Sequence, residues 1–300
     1  MSAVRIEIGN GVGTVVMDRP DRHNAFDEHV IAELTAGFAR LGADDSVRAV
    51  VLRGAGKSFS AGADLDWMRR MAAYDEAANL ADAKALAALM RTIDTLPKPT
   101  VALVHGAAYG GGVGLVACCD IAIATEAASF SLSEVKLGLI PAVISPYVVR
   151  AIGARAARRY FLTAERFDAV EARRLGLVHE LVESDGLEEA ARQVLAALRG
   201  NGPAAVRRRR NWSPRWPVGP RPRSRTTAPA GSPRPAPATK ARRASPPSWR
   251  SASRPGSVDQ LAVAGAFQAR TTLTRNSSIE ASVSSEPMMT TACCSRVTAK

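Results

Sequence analysis

The sequence predicts an α/β fold over residues 1–205, followed by a segment of different character. Short apolar runs such as 48–53 (R-A-V-V-L-R) and 100–104 alternate with longer stretches whose apolar residues recur at helical spacing. Glycine- and proline-containing turns separate them. At 300 residues and 46% hydrophobic, the chain has enough apolar material for a substantial core.

The elements follow in order. Residues 4–8 and 14–17 read as strands joined by the hairpin turn Gly9-Asn10-Gly11-Val12-Gly13, where glycine supplies the positive φ that a tight turn needs. A phosphate-binding loop is the weaker reading, because no Lys-Ser/Thr follows and there is no strand-to-helix context. Asp27 can cap a helix running to about Leu41, with Val30, Ile31, Leu34, Phe38 and Leu41 on one face. The buried strand 48–53 leads into a loop containing Phe59-Ser60-Ala61-Gly62-Ala63-Asp64-Leu65. A helical region over 76–96 is closed by Pro97 and Pro99. Strand 100–104 precedes Gly106 to Gly114 and an apolar helical stretch to Cys119. Strands over 120–124 and 129–131, helices over 154–162 and 170–175, a strand over 178–182 and a helix over 187–198 complete this part.

Composition narrows the function classes. No charged and apolar leader pattern opens the chain, and no apolar run is long enough to span a bilayer. The four cysteines form two adjacent pairs, Cys118–Cys119 and Cys293–Cys294, without zinc-ligand spacing or a disulfide framework. His29, His105 and His179 also lack ligand spacing. The expectation is a cytoplasmic protein with no metal and no membrane partner. Residues 1–205 carry 22 Lys/Arg against 25 Asp/Glu, whereas 206–300 carry 18 against 3. The formal charge of +12 is thus a property of the tail.

Two loops share one pattern, a buried strand, a glycine-containing turn and then a helix: Ser60-Ala61-Gly62-Ala63-Asp64 and Tyr109-Gly110-Gly111-Gly112-Val113-Gly114. Small residues let a ligand approach the backbone. A helix N-terminus presents unpaired N–H groups and partial positive charge. Two such loops facing one another can hold a developing oxyanion between two amides. Each loop alone is more often a packing device.

Taken together the motifs resemble the crotonase (enoyl-CoA hydratase/isomerase) family over residues 4–205. F-S-A-G-A-D-L-D-W-M (59–68) and G-A-A-Y-G-G-G-V-G-L (106–115) are similar to its two oxyanion-hole segments. R-P-D-R-H-N-A-F (19–26) resembles its early coenzyme A loop, and S-L-S-E-V-K-L-G-L-I-P (131–141) its glutamate-bearing segment. The resemblance implies a crotonase-like spiral of ββα units with two roughly perpendicular sheets, normally followed by helices that cover the acyl pocket and build a homotrimer or a dimer of trimers. It implies an acyl-CoA substrate, with coenzyme A part of that substrate and no cofactor tightly bound. The amides of Ala63 and Gly111 would bind the thioester oxygen, each donor contributing about 2.7–4 kcal/mol in the transition state. Asp64 would organise its loop, Ala61 and Leu65 would border the adenine, and Arg22, His23 and Ala25 would follow the phosphates and pantetheine. Tyr109 and Pro141 complete the implied binding set. Glu134 matches the acid/base glutamate, and its apolar flanks Leu132, Val135 and Leu137 can raise a carboxyl pKa. Without the other motifs it would read as a solvated loop glutamate.

The pattern departs from two-glutamate hydratases at Gly114, where those enzymes carry their first glutamate. One glutamate can both deprotonate water and protonate carbon, or can shuttle a proton in an isomerase. Segments 117–123, 133–149 and 156–169 look like bacterial methylglutaconyl-CoA hydratases, several of which also have this glycine. Their substrate has a distal carboxylate, for which Arg69, Arg70 and Arg150 are candidate partners, a solvated role being the alternative for each.

After Val206 the chain is rich in Arg, Pro, Ser and Ala, a composition that reads as disordered. Clustered arginines can bind nucleic acid, but aromatic interleaving is sparse, with Trp212, Trp216 and Trp249 in the arginine-rich stretch. A shifted reading frame explains it better. Codons exist for 235–253 that, read two bases later, spell R-A-S-D-E-G-K-E-G-I-A-A-F-L-E-K-R-K, which resembles a crotonase C-terminus. The same offset over 210–220 permits E-L-V-A-A-V-A-G-R-P. A frameshift near 207–210 would replace the trimerisation helices. The expected function is a lyase that hydrates an α,β-unsaturated acyl-CoA, most naturally 3-methylglutaconyl-CoA. The alternatives are a one-glutamate enoyl-CoA isomerase and a non-catalytic acyl-CoA or nucleic-acid binder.

Overall fold

The computed structural model describes residues 2–212 of the protein. Strands β1 (Val4–Gly9) and β2 (Val12–Met17) form an antiparallel hairpin in which Gly9 faces Val12. The two residues between them, Asn10 and Gly11, have φ of 50° and 75°. That double left-handed turn matches the strand twist and suits an Asn-Gly pair. Helix α1 (Glu28–Ala43) starts where Asp27 accepts the backbone N–H groups of His29 and Val30, and it buries Val30, Ile31, Leu34, Phe38 and Leu41 as expected. Strand β3 (Ala49–Gly54) follows and pairs in parallel with β2.

Two helices, α2 (Leu65–Met71) and α3 (Glu76–Asp94), separate β3 from β4 (Thr100–Val104). Next come β5 (Ala107–Tyr109), α4 (Gly111–Cys118), β6 (Ile121–Thr125) and β7 (Ser129–Ser131). A 3-10 turn over Glu134–Leu137 leads to α5 (Ser145–Thr163), β8 (Arg166–Asp168), α6 (Ala169–Leu175), β9 (Glu180–Val182), α7 (Leu187–Gly200) and α8 (Pro203–Trp212).

The larger sheet has the order β1-β2-β3-β4-β6-β9 and is parallel beyond the first hairpin. The smaller has the order β5-β7-β8. Helices cover both faces of the larger sheet, so its central strands are apolar throughout rather than alternating. Val50, Leu52, Ala102 and Val104 face the main core with α1, α3 and α4. Val51, Val101, Leu103 and Ile123 face Leu187, Ala190 and Ala191 of α7. Burying each of these valine, leucine and isoleucine side chains contributes about 1.5–3 kcal/mol.

Several elements differ from the sequence expectation. The span of α5 begins at Ser145, adding a helical stretch before the expected one, because Pro146 sits in its first turn, where its missing N–H is harmless. Gly153 (φ 79°, ψ 153°) is non-helical and divides this span at a kink, so its second half begins at the expected residue 154. Helix α2 and strands β5 and β8 are too short to show a periodicity. Leu137 is exposed and is not an apolar wall for Glu134.

Helix α8 runs across the 205/206 boundary, so residues 206–212 are helical. The expectations for the rest of the tail, including disorder, the shifted frame and the lost trimerisation helices, fall outside the described residues. Among the described residues no helix is long and apolar enough to cross a membrane, and no cluster of His, Cys, Asp and Glu could hold a metal. Cys118 is buried, its sulfur 3.6 Å from that of Met90.

Candidate active site

Four chain segments are laid side by side by backbone hydrogen bonds. Ala61 N donates to His23 O at 2.9 Å, Phe26 N to Gly62 O at 2.8 Å, and Asp64 N to Phe26 O at 3.0 Å. Tyr109 N donates to Ser60 O at 2.9 Å, and Gly110 N to Ser131 O at 2.8 Å. The order across this ladder is therefore 23–26, 60–64, 107–111 and 129–134. Ser60, fully buried, fixes the second segment by donating to Asn24 O at 2.9 Å and accepting from Gly62 N at 3.2 Å.

The two glycine loops meet. In the parallel bridge between Phe26 and Ala63, the bonds run through Gly62 O and Asp64 N, so the N–H of Ala63 points away from Phe26. Gly111 opens α4, and its N–H is among those at a helix start without an intrahelical acceptor. A Cβ on Gly62 would lie 3.5 Å from Gly111 N and 2.7 Å from Tyr109 O, which measures how closely the loops abut. A Cβ on Gly111 would strike the buried ring of Phe26 at 2.3 Å.

Glu134 stands beside this junction. A Cβ on Gly110 would lie 3.3 Å from Glu134 Oε1. Gly110 itself adopts φ 49° and ψ −120°, a conformation open to glycine and not to residues with a side chain. The Glu134 residue is half-buried, but its Oε2 atom is fully buried without a hydrogen-bond partner. Burial pushes its pKa up to about 6. A buried, unpaired carboxyl oxygen is costly, and such groups are concentrated where a substrate or water completes the bonding.

The remaining candidates surround the junction. Asp64 caps α2, its Oδ1 accepting from Asp66 N at 2.9 Å and Trp67 N at 3.3 Å. His23 Nδ1 lies 3.1 Å from Ser58 Oγ. Ala25 is buried and its carbonyl accepts from Arg19 at 2.9 Å. Ala61 is half-buried, whereas Leu65 is exposed at the start of α2. Arg22 reaches across to Asp66 at 2.9 Å on the same rim. Tyr109 bonds Ser129 Oγ at 3.1 Å under the guanidinium of Arg166. Pro141 is buried in the segment between Glu134 and α5.

Residues 7–211 match the family model described as enoyl-CoA hydratase/isomerase. The chain belongs to that family. It is 33% identical to the short-chain-enoyl-CoA hydratase of Clostridium acetobutylicum over 213 residues, 69% of this chain and 79% of that one. Among solved structures, an enoyl-CoA hydratase from Shewanella pealeana is 50% identical with a TM-score of 0.69, over 71% of this chain and 80% of that chain. Pseudomonas aeruginosa AtuE is 40% identical with a TM-score of 0.69, over 73% and 85%. The fold is that of an enoyl-CoA hydratase/isomerase, the crotonase-like α/β architecture.

Within this family member, three structural residues escaped the sequence reading. Asn24 is buried at φ 54°, and its amide donates to Ala55 O at 2.8 Å and Ser58 O at 2.7 Å. Asparagine's tolerance of the left-handed region, next to another polar residue in R-H-N-A, was the available signal. Arg19 pairs with Asp27 at 3.1 Å and Asp64 at 3.3 Å, tying together the starts of α1 and α2. Ile144 packs onto Gly114, and no local pattern announces that contact. The three arginines considered for a distal carboxylate are each paired already: Arg69 with Asp66, Arg70 with Glu28 and Arg150 with Asp94.

Proposed function

We propose that the protein adds water across the α,β double bond of an enoyl-CoA thioester, with 3-methylglutaconyl-CoA the preferred substrate and Glu134 the single acid/base. The carrying observation is the buried, unpartnered Glu134 Oε2 beside the Gly110–Gly111 start of α4. The thioester oxygen accepts from the N–H groups of Ala63 and Gly111, and the α4 N-terminus favours the negative charge that develops there. Ionised Glu134 takes a proton from water as its oxygen bonds to Cβ and the C=C electrons move toward the thioester oxygen. The protonated carboxyl then returns a proton to Cα. The net change is one H and one OH added. A carboxyl poised near 6 serves both steps at near-neutral pH.

Coenzyme A enters as part of the substrate along the rim formed by Arg22, His23, Ala25, Ala61 and Leu65, with Asp64 organising the loop and Tyr109 and Pro141 completing the pocket. The preference for a substrate with a distal carboxylate rests on the resemblance of segments 117–123, 133–149 and 156–169 to methylglutaconyl-CoA hydratases. If an arginine holds that carboxylate, it must exchange Asp66, Glu28 or Asp94 for it. An isomerase that shuttles a proton on Glu134 is the second reading, favoured by the apolar filling at Gly114.

The proposal extends to the tail: residues from about 210 are read out of frame. The family match stops at residue 211, and 79% of the Clostridium relative is matched. The test is the loss of enoyl-thioester absorbance with 3-methylglutaconyl-CoA and crotonyl-CoA, using the chain as written and a version with the tail frame restored. Turnover gained on restoring the frame is the expected result. Folded protein without turnover in either version would overturn the hydration reading.

A further inference from the structure

We infer that Ile144 restricts this site to one carboxylate, because its side chain fills the space that an acidic side chain at position 114 would need. The inference rests on the hydration reading above and assigns a specificity-determining role to a residue outside the binding set.

Gly110 and Gly114 lie four residues apart at the start of α4, where Gly114 N donates to Gly110 O at 3.4 Å. Gly110 is the cap and Gly114 lies one turn into the helix. The first turn of α4 meets two different side chains in succession. At Gly110 it meets the Glu134 carboxyl, 3.3 Å from the Cβ position. One turn on, at Gly114, it meets Ile144, whose Cγ2 lies 2.3 Å and whose Cβ lies 2.9 Å from the Cβ position. The methyl of Met90 closes that space from another side at 3.3 Å.

These are not contacts that a small adjustment relieves. The atoms nearest Gly114 are the branch point of Ile144 and the methyl on it, not the end of a long flexible chain. A β-branched side chain is stiff about its first torsion. The Ile144 backbone is held where α5 begins, its carbonyl accepting from Tyr147 N at 3.1 Å and Val148 N at 3.0 Å. Ile144 is 3% exposed and Met90 fully buried. The wall at Gly114, one turn on from the Glu134 carboxyl, is therefore apolar and occupied. A carboxylate at position 114 has no room beside Glu134, which is left to take and return the proton itself.

The experiment is a double-mutant cycle with Gly114→Glu, Ile144→Gly and both together, reading thermal midpoint in the full chain and the pH profile of crotonyl-CoA hydration in the frame-restored version. Gly114→Glu alone should lower the midpoint by about 5 °C or more through overpacking. Adding Ile144→Gly should recover at least half of that shift, a non-additive result. The double variant should hydrate crotonyl-CoA at least about tenfold faster than Ile144→Gly alone, and its pH profile should show a second titrating group. Gly114→Ala gives the same stability cycle should Gly114→Glu not fold.

A midpoint for Gly114→Glu equal to the parent, or strictly additive midpoints in the cycle, overturns the inference. So does a rescued midpoint with no gain in hydration in a parent that turns over. If the frame-restored parent hydrates no enoyl thioester while folded, the hydration reading has failed. The midpoint cycle still decides the packing claim: coupling supports it and additivity sinks it.

Discussion

The carboxyl of Glu134 rests against Gly110, with Oε1 3.3 Å from where a Cβ on that glycine would stand. Gly110 is at once the cap of α4 and the neighbour of the buried carboxyl. The residue that opens the helix so that its N–H groups face outward also leaves room for the acid.

Gly110→Ala should therefore damage the site twice over. A side chain at φ 49° and ψ −120° costs about 1–3 kcal/mol of strain, and the new methyl presses on Glu134. Urea unfolding should show that loss, with turnover falling further than stability explains. An unchanged midpoint would mean that the backbone relaxes.

Arg19→Met should loosen both loops from a distance. The substitution leaves Asp64, only 6% exposed at its side chain, and Asp27 without their shared cation. The expected cost is on the order of 2 kcal/mol, with a larger rise in KM than fall in kcat if the coenzyme A rim shifts. A change confined to kcat would contradict that placement.

Stability should depend on pH with opposite signs at two carboxyls. Glu134 is raised from 4.5 to about 6 by burial, so its ionisation is harder in the folded state. Its favourable contribution is present in full below pH 4.5 and is lost as pH rises through 6. Relative to Glu134→Gln, the parent should lose roughly 1–2 kcal/mol between pH 4.5 and 7.5. Asp27 behaves inversely. Burial alone would raise it, but the Val30 N–H, the charge of Arg19 and the His29 N–H hold it below the usual carboxylate range. Its contribution is present above the unfolded pKa and is lost as pH falls through the folded one. Comparing denaturation midpoints of the parent and the Asp27→Asn variant below about pH 4 measures that limb.

Replacing the distal carboxylate of 3-methylglutaconyl-CoA with an amide should lower kcat/KM at least about tenfold, the effect of losing one charge-assisted hydrogen bond. Equal turnover of the two would remove the proposed preference while leaving hydration intact.

How much was readable in advance depended on whether the signal was local. Helix α1 was legible because Asp27 and five apolar residues at helical spacing lie within one segment. Strand β4 was legible from the apolar run 101–104 between Pro99 and Gly106. The first half of α5 was not, since Pro146 and Gly153 look like breaks and act as a first-turn residue and a kink. At the site, the two glycine loops and Glu134 were singled out from short motifs. The stacking of 23–26, 60–64, 107–111 and 129–134 is a tertiary relation that no local period encodes. Ile144 was invisible for the same reason: it sits in an apolar run, and only packing shows that it faces Gly114. The apolar flank expected at Leu137 failed because its side chain turns to solvent on the 3-10 turn.

The central claim is that one buried carboxyl does the chemistry, and Glu134→Gln in the frame-restored chain tests it most directly. The amide keeps the shape of the side chain and cannot ionise. Hydration of 3-methylglutaconyl-CoA should fall roughly 100- to 10,000-fold, with an unchanged fold and with the parent's activity limb near pH 6 gone. Turnover within a few-fold of the parent would contradict the account and move the acid/base role to another residue.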